Sequence, residues 1–149
     1  MSVGGGYQTT DLFQPADLKL NLEAIDLPDS SQDLIIANHV LEHVDDRKAS
    51  EKLSQILRPN GKFLCMVPII EGWELTYENP AACTYQERML HFGQEDHIRF
   101  YGRDFRARIA KGGFNLVCEF TADEKAVVDY GLMRGEKVFL FQKTNSSYL

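Results

Sequence analysis

The stretch QDLIIANHVLEHV, residues 32–44, contains the pattern that decides the fold. It includes four consecutive apolar residues, Leu34–Ala37, and such a run is typical of a strand buried on both faces of a parallel sheet. Apolar residues then recur with helical spacing from Asp45 to Leu57, which predicts an amphipathic helix. Pro59 ends that helix, and residues 62–67 are predicted to form the next strand.

The rest of the chain continues this alternation of strands and helices. Further strands are predicted over residues 7–10, 18–22, 115–120 and 137–142, and further helices over residues 85–90 and 103–111. The shorter of these helices lies in an otherwise irregular insertion, residues 68–102. The sequence therefore predicts a single α/β domain over residues 1–149, with a flexible leader at 1–6 and a flexible tail at 145–149.

Composition excludes several classes of protein. The chain has 22 acidic and 16 basic residues and a net charge of −6, and an acidic surface repels nucleic acid. The longest apolar run, residues 63–70, is far shorter than the roughly 20 residues that span a bilayer, so no membrane segment is predicted. The three cysteines form no C-x-x-C pair, which argues against a disulfide scaffold and favours a cytoplasmic location.

Residues 26–44, together with their continuation through the helix to ILRPNGK at 56–62, resemble the middle of class I S-adenosylmethionine-dependent methyltransferases of the type 11 kind. In that family the strand before VLEHV is the fourth, and L-(K/R)-P-x-G leads into the fifth. The resemblance implies a Rossmann-like, mostly parallel sheet with flanking helices and an antiparallel last strand. It also implies that residues 7–11 are the second strand, so that the first strand and its G-x-G-x-G turn are missing and the domain is amino-terminally truncated.

The same resemblance implies a cofactor, S-adenosylmethionine, and its product S-adenosylhomocysteine. Asp11 would accept hydrogen bonds from the two ribose hydroxyls, because one carboxylate can accept both. Glu23 would bind the adenine edge, with Asn21 as a rival. Asn38 and His39, which follow the predicted fourth strand, would line the methionine part of the cofactor.

A small-molecule methyl acceptor is expected, and several side chains are candidates to contact it. Aromatic rings with polar tips suit the walls of such a pocket. The candidates are Trp73, Tyr77, Tyr85 and Tyr101, with Arg99 facing an anionic substrate and His97 as a general base. Histidine titrates near neutrality, which suits a group that removes a proton from the acceptor.

Two other functions compete with methyl transfer. A domain without its first strand has an unpaired edge, so the chain would instead be a non-catalytic methyltransferase fold that forms a homodimer or binds a partner. His39, Glu42 and His43 also match the H-x-x-E-H zinc-peptidase motif, with Glu119 as a third ligand. A five-residue motif is far less specific than the resemblance over about 40 residues, so no metal is predicted.

Overall fold

The computed structural model describes residues 6–144, which form eight strands, four α-helices and one short 3-10 helix. The strands are β1 Thr10–Asp11, β2 Leu18–Lys19, β3 Gln32–Asn38, β4 Leu57–Met66, β5 Tyr77–Glu78, β6 Arg99–Phe100, β7 Phe114–Thr121 and β8 Lys137–Lys143. The helices are α1 Asp46–Ile56, α2 Tyr85–Phe92, α3 Phe105–Lys111 and α4 Glu124–Tyr130, and the 3-10 helix is Leu41–His43. The predicted tail and residues 1–5 of the predicted leader lie outside the described residues.

The main sheet has four strands in the order β3-β4-β8-β7. β3 and β4 are parallel, and β8 runs antiparallel to both of its neighbours, β4 and β7. Three of the four strands therefore run in one direction and the last strand of the chain is inserted in reverse. This arrangement confirms the predicted α/β fold with an antiparallel last strand.

The hydrophobic core lies between one face of this sheet and the helices α1 and α3. Phe63 on β4 and Phe139 and Phe141 on β8 are fully buried, and they pack below Leu53 of α1 and Ile109 of α3. Successive residues of a strand point to opposite faces, so alternate residues of β4 and β8 enter the core. Burying one such side chain contributes about 1.5–3 kcal/mol, which makes this layer the main source of stability.

The opposite face of the sheet is largely uncovered within residues 6–144. Leu34 and Ile36 of β3 are each 53% exposed. β3 pairs with β4 on one side only, and β1 and β2 form a separate parallel pair. The prediction that β3 is buried on both faces is therefore wrong for the described chain, since only Ala37 of its residues is buried.

Helix α1 begins where the sequence predicts, because Asp45 accepts hydrogen bonds from the backbone N–H groups of Arg47 and Lys48. A side-chain acceptor of this kind satisfies amides that have no partner inside the helix. With 11 residues, α1 is the longest helix in the described part of the chain, and none there is long and apolar enough to cross a bilayer.

The insertion, residues 68–102, is more ordered than the sequence predicts. Its helix α2 is confirmed and starts with a capping box, in which Thr84 and Glu87 bind each other's backbone amides. β5 and β6 also pair in an antiparallel ladder. The sequence did not predict α4 (Glu124–Tyr130), because none of its residues is buried and no apolar periodicity marks it.

A buried carboxylate joins the helices to the insertion. Asp46 of α1 is 1% exposed and accepts two hydrogen bonds of 2.8 Å from the guanidinium of Arg108 on α3. The Tyr101 hydroxyl donates a third hydrogen bond to Asp46 at 3.0 Å, and Arg99 lies 3.8 Å away. The charges of α1, α3 and the insertion therefore compensate one another inside the protein.

Replacing Asp46 with alanine is expected to lower the free energy of unfolding by about 3–5 kcal/mol, because the change leaves buried arginines without their partner. Asp33→Ala is the matched control, since Asp33 is exposed and pairs with the exposed Arg58. That change should cost less than about 1 kcal/mol. Urea denaturation of the two variants measures the difference, and equal losses would contradict this account of the core.

Candidate functional site

The chain turns sharply at the carboxyl end of β3. The backbone N–H of His39 donates to the carbonyl of Met66 and extends the ladder with β4, but His39 itself has a φ of 52°, in the left-handed region. A non-glycine residue there is uncommon and costs backbone energy. The 3-10 helix that follows buries Leu41 completely and carries Glu42 and His43. The turn therefore places three polar side chains at the end of one strand.

Glu42 is the most unusual of these side chains. It is 1% exposed, and both of its carboxylate oxygens are buried without a hydrogen-bond partner. His39 Nδ1 lies 3.4 Å from Oε1 and His43 Nε2 lies 4.0 Å from it, within ion-pair distance but without the geometry of a hydrogen bond. Burial raises the pKa of the Glu42 carboxyl. Perturbed, unpartnered groups of this kind concentrate at functional sites.

His97 is brought into the same place by the insertion. It is 4% exposed, its Nδ1 is buried without a partner, and its ring meets that of His43 edge-on at 4.7 Å between centroids. Burial lowers the pKa of His97, and the neighbouring His43 lowers it further. His97 is therefore neutral at neutral pH. The sequence analysis named His97 as a candidate base and Glu42 and His43 as part of a separate motif, and the structure brings the three together.

Asp11 lies at the end of β1, as predicted for a ribose ligand. Its Oδ1 accepts hydrogen bonds of 2.7 Å from the backbone N–H groups of Phe13 and Gln14. These bonds, that of Gln14 first, lower the pKa of Asp11. The carboxylate is thus ionised and held by its own turn, with Oδ2 outside these two bonds.

The other predicted cofactor ligands have different surroundings. Glu23 Oε1 accepts a hydrogen bond of 2.8 Å from the backbone N–H of Asp45, so this carboxylate helps to cap α1. Asn38 is exposed at the end of β3, and His39 Nε2 lies 2.6 Å from Glu136 Oε1. Among residues 6–144, no hydrogen bond or ion pair joins Asp11, Glu23 and Asn38 to one another.

Two of the predicted acceptor-pocket residues form a partly exposed aromatic pair. The rings of Trp73 and Tyr77 meet edge-on at 6.4 Å between centroids, and Phe100 meets Trp73 at the same distance. The Tyr77 hydroxyl lies 2.7 Å from His91 Nδ1. Tyr85 is 57% exposed at the start of α2 and does not join this group.

The structure buries the other two predicted pocket residues, and for Tyr101 this burial corrects the sequence-based prediction. Tyr101 is fully buried, and its hydroxyl donates to the Leu41 carbonyl as well as to Asp46. Arg99 is 5% exposed and donates to the carbonyls of Leu41 and Val44 and to Glu78. These donors already have acceptors inside the protein. Tyr101 is closed off from solvent, whereas Arg99 also lines a surface pocket together with Glu78 and Arg108.

The zinc-peptidase motif does not form its required geometry. That motif needs two histidines on one face of an α-helix, but His39 precedes a three-residue 3-10 helix and contacts Glu136. Glu119, the suggested third ligand, binds Arg106 at 2.6 Å instead. The peptidase interpretation therefore lacks both its helix and its third ligand.

Comparison with known proteins tests the fold directly. The family described as methyltransferase domain matches residues 7–65, which include β1 to β3 and all of β4 but its last residue. The 1,6-didemethyltoxoflavin-N1-methyltransferase of Burkholderia thailandensis, solved with 1,6-didemethyltoxoflavin and S-adenosylhomocysteine bound, is similar with a TM-score of 0.62 and 18% identity, over 91% of this chain and 60% of that chain. The chain has the class I methyltransferase fold. The resemblance found in the sequence is thereby confirmed.

Two further structures define how far this likeness extends. An S-adenosylmethionine-dependent methyltransferase from Mesorhizobium loti has a TM-score of 0.56 and 15% identity, over 83% of this chain and 67% of that chain. The [4+2]-cyclase SpnF has a TM-score of 0.55 and 11% identity, over 84% of this chain and 54% of that chain. Among curated proteins, no sequence matches. A cyclase with a similar structure shows that this fold alone does not fix the reaction.

Asn38 and His39 lie at the carboxyl end of β3, the edge at which open α/β sheets commonly bind ligands. The sequence did not predict the burial of Glu42. The H-x-x-E-H motif drew attention to this residue, but the motif does not indicate whether the carboxylate is buried.

Glu42→Gln is expected to raise the free energy of unfolding by on the order of 1 kcal/mol at pH 8 with a chelator present, because the amide removes a buried charge that accepts no hydrogen bond. Glu51→Gln on the exposed face of α1 is the control and should change stability by less than about 0.5 kcal/mol. Thermal and urea unfolding give both values. A clear loss of stability in Glu42→Gln would show that the carboxylate has a stabilising partner.

Proposed function

We propose that this chain takes part in S-adenosylmethionine-dependent methyl transfer to a small-molecule acceptor. The observation that carries the proposal is the methyltransferase-domain match over residues 7–65, because it spans the strands whose ends hold Asp11 and Asn38. The similar Burkholderia enzyme was solved with the product of this cofactor bound. The cofactor here would lie beyond the ends of β1 and β3.

The residues present fit such a cofactor in part. Asp11 fits the ribose, because its carboxylate is ionised and its backbone bonds engage Oδ1. Asn38 is exposed and offers both a donor and an acceptor. Glu23 fits the adenine edge poorly, since its Oε1 already accepts the Asp45 amide.

The chemistry suits a site without a catalytic triad. S-adenosylmethionine supplies a reactive methyl group on a sulfonium, so the protein chiefly aligns donor and acceptor. Trp73 and Tyr77 are proposed to form one wall of the acceptor pocket, because they present partly exposed rings. The neutral imidazole of His97 is proposed to accept a proton from the acceptor when one must be removed.

Calorimetric titration with S-adenosylhomocysteine tests cofactor binding. Micromolar binding is expected, and Asp11→Ala should weaken it by at least about tenfold, because the ribose hydroxyls lose a charged acceptor. Asp11→Asn keeps an oxygen for the Phe13 and Gln14 amides and separates loss of charge from loss of the turn. Asp29→Ala, in the exposed loop before β3, is the control and should bind as the unchanged chain does.

A folded chain that does not bind S-adenosylhomocysteine would overturn the proposal. A chain that is folded by circular dichroism but releases no heat at millimolar S-adenosylhomocysteine does not bind the cofactor. In that case methyl transfer is not its function.

The edge strand β3 favours a second candidate function, self-association. Within residues 6–144 the outer edge of β3 pairs with no other strand, and it presents backbone groups next to the exposed side chains of Leu34 and Ile36. Edges of this kind pair readily with a strand from another chain unless a charge blocks them. A homodimer through β3 would cover both the outer edge of the strand and the apolar side chains of Leu34 and Ile36.

Sedimentation velocity measures this association. The chain is expected to form a dimer, and Ile36→Lys should shift it to a monomer, because a lysine on β3 opposes close pairing. Val128→Lys is the control, since Val128 is 79% exposed on α4, away from the sheet edge. A monomer at all concentrations, or a dimer that survives Ile36→Lys, would exclude pairing through β3.

A further inference from the structure

Glu42, His43 and His97, here called the Glu42–His43–His97 cluster, bring three potential metal ligands together. One ligand atom from each residue lies within 4.8 Å of the other two. Two of the residues come from the turn after β3, and His97 comes from the insertion. The cluster is therefore built by the tertiary fold rather than by one local motif.

Unsatisfied buried atoms give an independent reason to expect a ligand here. Glu42 is 1% exposed and His97 is 4% exposed. Both carboxylate oxygens of Glu42 and the Nδ1 of His97 are buried without a hydrogen-bond partner. Buried polar atoms in folded proteins nearly always have a partner. Two neutral imidazoles do not compensate the negative charge of the Glu42 carboxylate, and a bound cation would compensate it.

The orientation of His43 fits a metal ligand. Its Nδ1 lies 3.2 Å from the Asp96 carbonyl oxygen and 3.3 Å from the Asp96 carboxylate. Those acceptors hold the ring proton on Nδ1, so Nε2, which lies 4.0 Å from Glu42 Oε1, keeps its lone pair. Histidines that bind metals commonly donate their second ring nitrogen to a carbonyl or carboxylate in this way.

We propose that the Glu42–His43–His97 cluster binds a divalent transition-metal ion of the zinc type. Two imidazole nitrogens and one carboxylate oxygen form a ligand set that zinc uses in catalytic sites, where a fourth position stays open. Zinc–ligand distances of about 2.0–2.2 Å place tetrahedral ligand atoms about 3.4 Å apart, so ligand atoms that now lie up to 4.8 Å apart need to approach by at most about 1.4 Å.

Neighbouring residues fit the same assignment. His39 stands next to the cluster, with Nδ1 3.4 Å from Glu42 Oε1, and it remains bound to Glu136 through Nε2. A bound cation would replace the proposed role of His97 as a base, because a coordinated nitrogen has no lone pair left for a proton. The metal site itself does not depend on the proposed methyl transfer.

Calorimetric titration of chelator-treated full chain with Zn²⁺ tests the proposal. One ion per chain is expected, and Glu42→Gln and His97→Ala should each weaken binding by at least about tenfold. His91→Gln is the matched control, because His91 contacts Tyr77 and Asn79 outside the cluster. Its affinity and stoichiometry should equal those of the unchanged chain.

Thermal unfolding keeps the test decisive if His97→Ala does not fold. Zn²⁺ should raise the melting temperature of the unchanged chain and of His91→Gln, but not that of Glu42→Gln, which preserves side-chain shape. No stoichiometric binding, or equal binding by the unchanged chain and Glu42→Gln, overturns the metal site. These results are independent of the S-adenosylhomocysteine titration, so either proposal can fail alone.

Discussion

The buried carboxylate of Asp46 is the interaction on which the candidate site depends. It joins α1 to α3 through Arg108 and to the insertion through Tyr101. A buried charge is tolerated only when its partners are in place, so these segments must assemble together. Because Tyr101 and Arg99 also bind the Leu41 carbonyl, the same assembly fixes the 3-10 helix that carries Glu42.

The sequence predicted the fold wherever a single element carried its own signal. The apolar run of β3 and the helical spacing of α1 are local patterns, and both elements are found within a few residues of the predicted bounds. Helix α4 and the two-residue strands β5 and β6 have no such pattern, because they bury little apolar surface. The reversed direction of the last strand, β8, followed from the family resemblance rather than from any one segment.

The candidate site was less predictable, because its character depends on burial. Arg99 and Tyr101 have the polar tips expected of pocket residues, but the same groups serve equally well to satisfy a buried carboxylate and backbone carbonyls. Only the tertiary contact with Asp46 decides between these roles. Glu42 shows the opposite case, since nothing in its neighbours along the chain indicates that its carboxylate is buried without a partner.

The insertion is fastened to the turn after β3 mainly through backbone atoms of that turn. The carbonyls of Leu41 and Val44 accept from Arg99, and the carbonyl of Glu42 accepts from the backbone N–H of Ile98. Every amino acid has a carbonyl, so the fastening survives many changes of side chain within the turn. Side chains of the turn can therefore be replaced, and with them the chemistry of the site, without loss of these bonds, whereas replacing Arg99 removes the donor for two of them.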